Sequence, residues 1–175
     1  VGGMVTMLSM DRRYSYAAVA CPLSFFSAVS ASWTHLSLGG IESRDQNGVP
    51  MGEISDAEDA ATLSCGVRVN RRLSVGAGVR LLYHALAGYR ASGRGYSTGL
   101  LLKPWMPLTL GASLQNLLAK VTWDTPGRTR ETLPRTGRLG LGLRPASWAN
   151  LSLDYEIVQR QGGTWHAGGE IMVGE

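Results

Sequence analysis

From residue 13 onward, apolar and polar positions alternate with a period of two. Leu73, Val75, Ala77, Val79, Leu81 and Tyr83 alternate with Ser74, Gly76, Gly78, Arg80 and His84. Leu108, Leu110, Ala112 and Leu114 alternate with Thr109, Gly111, Ser113 and Gln115, and Leu139, Leu141 and Leu143 with glycine. Successive side chains of a strand point to opposite faces, so a period of two is the mark of a strand with one apolar side. The pattern predicts about nine strands, over 13–21, 25–38, 60–70, 73–86, 95–103, 108–117, 136–144, 150–158 and 164–173, and no helical stripe competes with them. The chain reads as all-β.

The predicted connections carry a second pattern. Those near Pro22, Asn70 to Arg72, Pro104 to Pro107 and Pro145 to Ala149 are tight, whereas 39–59, 87–94 and 118–135 are longer, with 159–163 the exception. In an antiparallel meander, alternate connections fall at opposite ends, so short and long ones segregate. Outer-membrane barrels show this asymmetry, with short periplasmic turns and longer extracellular loops. The loop 42–59 collects Glu42, Asp45, Glu53, Asp56, Glu58 and Asp59. Its Asp45-Gln46-Asn47-Gly48 lacks the Asp/Asn ladder and terminal Glu of a calcium loop, and a solvated hairpin tip turned by Asn-Gly fits better. In a membrane reading, Glu42, Asp45, Asn47 and Gly48 are extracellular.

The two faces of the strands frame the choice between a soluble sandwich and a membrane barrel. The wet face of a soluble sheet carries Lys, Glu and Thr. Here the second face is rich in Gly, Ser and Thr, with isolated charges. Glycine inside strands marks a bend or a close approach of other chain, which suits a crowded barrel interior. If the apolar face meets lipid, then Arg68, Arg80, His84, Arg138, Asp154, Glu156, His166 and Glu170 point into the lumen. These charges would either pair with one another or line a substrate path. Trp105 and Trp148, in or beside tight turns at one end, would sit in the interfacial aromatic girdle. Tryptophans filling the end of a sandwich are the alternative.

Composition removes several function classes. The chain has 23 glycines and a net charge of +4, and its basic residues are nearly all arginine, with lysine only at 103 and 120. Arg12, Arg13, Arg71, Arg72, Arg128, Arg130 and Arg144 fall at strand ends and turns rather than along one face, which argues against a nucleic-acid partner. Cys21 and Cys65 lack CxxC spacing and read as small buried hydrophobes, with a disulfide between them left open. His35, His84 and His166 have no Ser or Cys at motif spacing, and the paired glycines at 76–78 and 140–142 precede no helix. The chain is therefore expected to be no enzyme and to use no cofactor or metal. Tyr14 to Ile41 holds no charged residue, but two strands meeting near Pro22 explain it better than a membrane helix.

Five segments occur in one order: "GGIESRDQNGVPMGEISDAEDAATLSCGVRV" (39–69), "LSVGAGVRLLYHALAGYRASGRGYSTGLLLKP" (73–104), "LTLGASLQNL" (108–117), "WDT" (123–125) and "ETLPRTGRLGLGLRP" (131–145), with "RRYSYAAVACPL" (12–23) upstream. Together they resemble the PorV/PorQ-like outer-membrane proteins, a branch similar to the FadL long-chain fatty-acid transporters. The resemblance implies an antiparallel up-and-down transmembrane β-barrel in the bacterial outer membrane, of 14 strands in the family, with an N-terminal plug. Residues 1–175 then form one barrel domain, about nine strands of a larger barrel, without the plug region. The partners implied are outer-membrane lipid and either small hydrophobic molecules such as long-chain fatty acids or, in a PorV-like role, secreted proteins. A soluble β-sandwich binding module is the remaining alternative.

Overall fold

The alternation does fold into a single sheet. The structure is a computed structural model and describes residues 1–8 and 12–172. Its strands are β1 (Gly2–Leu8), β2 (Arg12–Pro22), β3 (Ser27–Arg44), β4 (Pro50–Arg68), β5 (Leu73–Leu86), β6 (Tyr89–Leu102), β7 (Leu108–Trp123), β8 (Arg130–Thr132), β9 (Thr136–Ala146), β10 (Ala149–Val158) and β11 (Gly162–Ile171). They form an 11-stranded antiparallel sheet in chain order, with the short β8 lying beside β7 off the main path. Among the described residues β1 and β11 do not pair, so the sheet is an open wall. The sandwich is not the architecture, because no second sheet covers this one among the described residues.

Each predicted strand is present, and the differences lie at the ends. β1 and β8 carry no alternating stripe that would announce them. β3 and β4 run to 18 and 19 residues and absorb most of the predicted loop 39–59. Backbone pairing there continues through polar residues, with Glu42 opposite Glu53. The predicted loop 87–94 shrinks to Ala87-Gly88, both at positive φ, as a two-residue type I′ turn requires. The hairpin tip closes on Asp45, whose Oδ1 accepts from the amides of Asn47 and Val49, both at 2.8 Å. Gly48 takes the left-handed conformation and Asn47 does not, so an Asx turn replaces the expected Asn-Gly turn. Val173, the expected end of the last strand, lies outside the described residues.

Register assigns the faces. Directly opposed residues of an antiparallel pair project to the same side. The row Val19, Ala31, Leu63, Val79, Tyr96 runs across β2 to β6, and Leu102, Leu110, Leu141, Leu153, Ala167 across β6, β7, β9, β10 and β11. This apolar face is uncovered: Leu63, Leu139 and Leu151 are 59%, 62% and 52% exposed. The buried hydrophobics among the described residues are Ala91, Ala119, Val121 and Ala149. A water-soluble domain of this length would bury far more, since apolar burial is the main favourable term in folding.

The cysteine expectations change as well. Cys21 and Cys65 are exposed on the apolar face, not buried. Both oppose Val29 from either side, two strand spacings or about 9.5 Å apart, beyond the roughly 7 Å a disulfide can bridge. Both thiols are free.

Candidate functional site

The opposite face is rich in small residues, and where β4, β5 and β6 run side by side little room is left between them. A Cβ on Gly78 would meet Ser64 Oγ at 2.6 Å and Ser97 Oγ at 2.9 Å. Ser64, Gly76, Arg80, Ser97, Gly99, Ser113 and Gln115 surround a hollow of about 270 Å³ on this side. Two apolar hollows, of about 600 and 660 Å³, lie on the other face among Val19, Leu63 and Val79, and among Leu100, Leu139 and Ile157.

Register places all eight singled-out charges on the small-residue face. They divide into two groups. On β4 and β5, His84 Nε2 donates to Asp56 Oδ1 at 2.6 Å, and Arg80 Nε donates to Thr62 Oγ1 at 3.4 Å. On β9 to β11, Arg138 forms an ion pair with Glu156 directly opposite it, and Asn150 Nδ2 donates to Glu170 Oε2 at 3.1 Å. The Asp154 carboxylate stands over Gly140, where the missing side chain leaves room, and His166 is its cross-strand neighbour. Arg68 stands at the turn end of β4 opposite Ser74. The face is therefore a set of short cross-strand contacts rather than one convergent cluster. Among the described residues no group of His, Cys, Asp or Glu is arranged to hold a metal.

These contacts support a specific expectation. Arg138→Glu sets a like charge opposite Glu156 and costs about 1 kcal/mol of sheet stability, and adding Glu156→Arg restores it. Gel-shift midpoints on heating measure both; equal midpoints in the single and double variants would show that the pair contributes nothing.

Several participants escaped the sequence reading. Asp56, Glu58 and Asp59 are not loop residues. They lie in β4, where Asp56 and Glu58 join the small-residue face opposite Leu86 and His84. The signal was present: they keep step with Ala60, Thr62, Ser64 and Gly66. Trp123 packs on His84 with ring centroids 5.0 Å apart, and its buried indole N–H has no hydrogen-bond partner among the described residues. On the apolar face, Asp59 accepts from Trp33 Nε1 at 3.0 Å and lies 2.9 Å from His35 Nδ1, and the two rings stack at 5.6 Å. Trp105 and Trp148 are exposed at the tight-turn end. Glu42 pairs with Arg44 at 2.7 Å beside the Asp45 tip.

No protein-family model matches the chain, and no curated protein does. Among solved structures it is similar to OmpT (in-vitro folded), an outer membrane protein of Vibrio cholerae in its trimer form. The TM-score is 0.57 at 11% identity, covering 91% of this chain and 53% of that one. The chain thus spans about half the length of the OmpT chain. This likeness carries the fold and does not single out the PorV/PorQ-like or FadL-like branch. It also corrects the expectation that the chain is no enzyme. That exclusion rested on motif spacing, and on a barrel fold shared this distantly catalysis depends on grafted sites, so the exclusion falls. Among the described residues no helix is long and apolar enough to cross a membrane, and a barrel crosses with strands. The chain has the antiparallel, up-and-down fold of a bacterial outer-membrane β-barrel.

Proposed function

We propose that this sheet is part of the wall of a barrel in the bacterial outer membrane, with its apolar face on lipid and its small-residue face on the lumen. One observation carries the reading: a leucine-rich face lies uncovered while Arg80, His84, Arg138, Asp154, Glu156 and His166 all fall on the glycine- and serine-rich face. On β5 the apolar run Leu73 to Leu81 spans about 27 Å along the strand, and about 21 Å once tilted, close to the apolar band of about 25 Å in such barrels. Trp105 and Trp148 then stand at the periplasmic interface, and the Asp45 tip is extracellular. Arg68, Arg80, His84, Arg138, Asp154, Glu156, His166 and Glu170 are lumenal. In a larger, family-sized barrel, further strands join the edges of β1 and β11.

Within that frame the barrel admits small amphiphiles of the fatty-acid class, as FadL-like proteins do. Arg80 supports this. It stands in the small-residue hollow with one donor on Thr62, and a guanidinium with free donors suits a carboxylate. Arg80→Gln therefore lowers long-chain fatty-acid uptake by about tenfold, the value of one charge-assisted hydrogen bond. Uptake in a deletion strain carrying either version tests this; equal uptake rejects the role of Arg80. Membrane fractionation and heat-dependent gel migration test the barrel itself, and recovery in the soluble fraction alone rejects it.

A second reading, a PorV-like role in surface attachment of secreted proteins, draws on β3 and β4. These strands exceed by several residues the 9–11 needed to cross a bilayer, so their tip projects outward as a contact surface. Unchanged fatty-acid uptake with lost surface proteins in the deletion strain favours this reading over the first.

A further inference from the structure

The outer side of β6, β7 and β8 carries cations where the apolar band ends. Arg94 opposes Lys120, which opposes Thr132 in β8, and the next row is Ser92, Thr122 and Arg130. Arg90 lies two residues beyond Ser92, opposite Ala85 of β5. All these positions share the face of Leu100, Leu102, Leu110 and Ala112, and Arg94 follows Tyr96 at the end away from the tight turns.

Lys120 owes its place there to two irregularities of β7. The register slips between Leu114 and Leu117 and again between Leu117 and Lys120, with Asn116 and Leu118 at φ 56° and 53°. One bulge would turn the rest of the strand over, and the second turns it back. The pair of bulges therefore returns Lys120 and Thr122 to the outer face beside Arg94 and Ser92.

Two like charges directly opposite each other are unfavourable in a sheet. Arg90, Arg94, Lys120 and Arg130 are exposed, and none has an ion pair among the described residues. The acids facing them are few. Asp124, whose amide donates to the Arg90 carbonyl, forms no salt bridge among the described residues, and Asp59 is held by Trp33 and His35. The neighbouring β5 positions, Leu81, Tyr83 and Ala85, carry no charge.

We propose that Arg94 and Lys120, backed by Arg90 and Arg130, form a docking surface for the phosphate groups of a phosphorylated outer-leaflet lipid. Its acyl chains lie on the apolar strip just below. The inference rests on the outer-membrane reading, which puts this end of the strands in the outer leaflet. A phosphate there relieves the Arg94–Lys120 repulsion and accepts several charge-assisted hydrogen bonds. Continuity with the apolar strip selects a lipid over a free anion.

The test compares the purified protein in detergent micelles with bisphosphorylated lipid A, the same lipid stripped of phosphate, and inorganic phosphate. Wild type retains bisphosphorylated lipid A in preference to the stripped form. Arg94→Gln/Lys120→Gln weakens that binding about thirtyfold, as two cations removed at a membrane surface should. Arg71→Gln/Arg72→Gln, at the opposite end, does not. Equal binding of both lipids, equal binding by the Arg94/Lys120 variant, or displacement by inorganic phosphate at the lipid's own concentration would each overturn the proposal. Folded protein recovered in membranes with no lipid preference sinks this inference alone, whereas protein that never enters membranes sinks the barrel reading with it.

Discussion

Leu110→Arg and Leu141→Arg each block assembly into the outer membrane. The two leucines oppose each other across β7 and β9, and Leu141 in turn opposes Leu153 of β10. A guanidinium on this row must be dragged toward hydrocarbon, at a cost that reaches roughly 2–4 kcal/mol at mid-bilayer and falls toward the interface, where the row meets Leu73 at the end of the β5 apolar run. Net stabilities of folded proteins are of the same order, about 5–15 kcal/mol, so one such charge removes a large share. Thr109→Arg, on the small-residue face opposite Gly142, is the control and is expected to assemble. The readout is the heat-modifiable band in the membrane fraction. Normal assembly of both leucine variants would mean that the apolar face does not meet lipid.

Gly93→Ala is the second substitution with a large expected effect, and its mechanism is steric. A Cβ at residue 93 would stand 2.5 Å from the carbonyl oxygen of Lys120 and 2.7 Å from Val121 Cγ2. The backbone oxygen has nowhere to go without opening the β6–β7 ladder, where Gly93 opposes Val121. Ala119 and Val121 also belong to the small set of buried side chains, so the region has no slack. Overpacking of this kind costs about 1–3 kcal/mol and lowers the temperature at which the folded band is lost. Gly111→Ala is the control. Its nearest contact would be Leu101 Cδ1 at 3.9 Å, an ordinary van der Waals distance, and it leaves the midpoint unchanged or slightly raised. If both glycine variants behave alike, the close approach at Gly93 is not a constraint.

Much of the fold and part of the candidate site were legible in the sequence. The residues of the small-residue face, from Arg68 to Glu170, could be assigned because parity holds within a regular strand: once Leu63 is outward, Thr62 and Ser64 are not. Their partners were less accessible. Arg138 and Glu156 are 18 residues apart, and only the β9–β10 register makes them neighbours. His84 and Asp56 are 28 apart, and Asp56 looked like a loop residue because its segment is acidic. Acidity is a property of side chains, whereas the ladder that extends β4 back to Pro50 is made by the backbone.

The sequence by itself determined the class of structure and its two faces. A period of two sustained over most of the chain leaves strands as the only regular solution, and glycine opposite leucine makes the faces unlike. Tertiary structure alone decided where strands stop, which charges touch and how β7 changes phase. It converted 87–94 from a loop into a two-residue turn, carried β3 and β4 beyond the alternating region, and separated Cys21 from Cys65 by an intervening strand. It also set Lys120 beside Arg94 through two bulges that compensate each other. The physical reason is common to all four: alternation records which side of a strand is apolar, while length, register and bulges are fixed by hydrogen bonding to a neighbour, and the neighbour is chosen only when the sheet assembles.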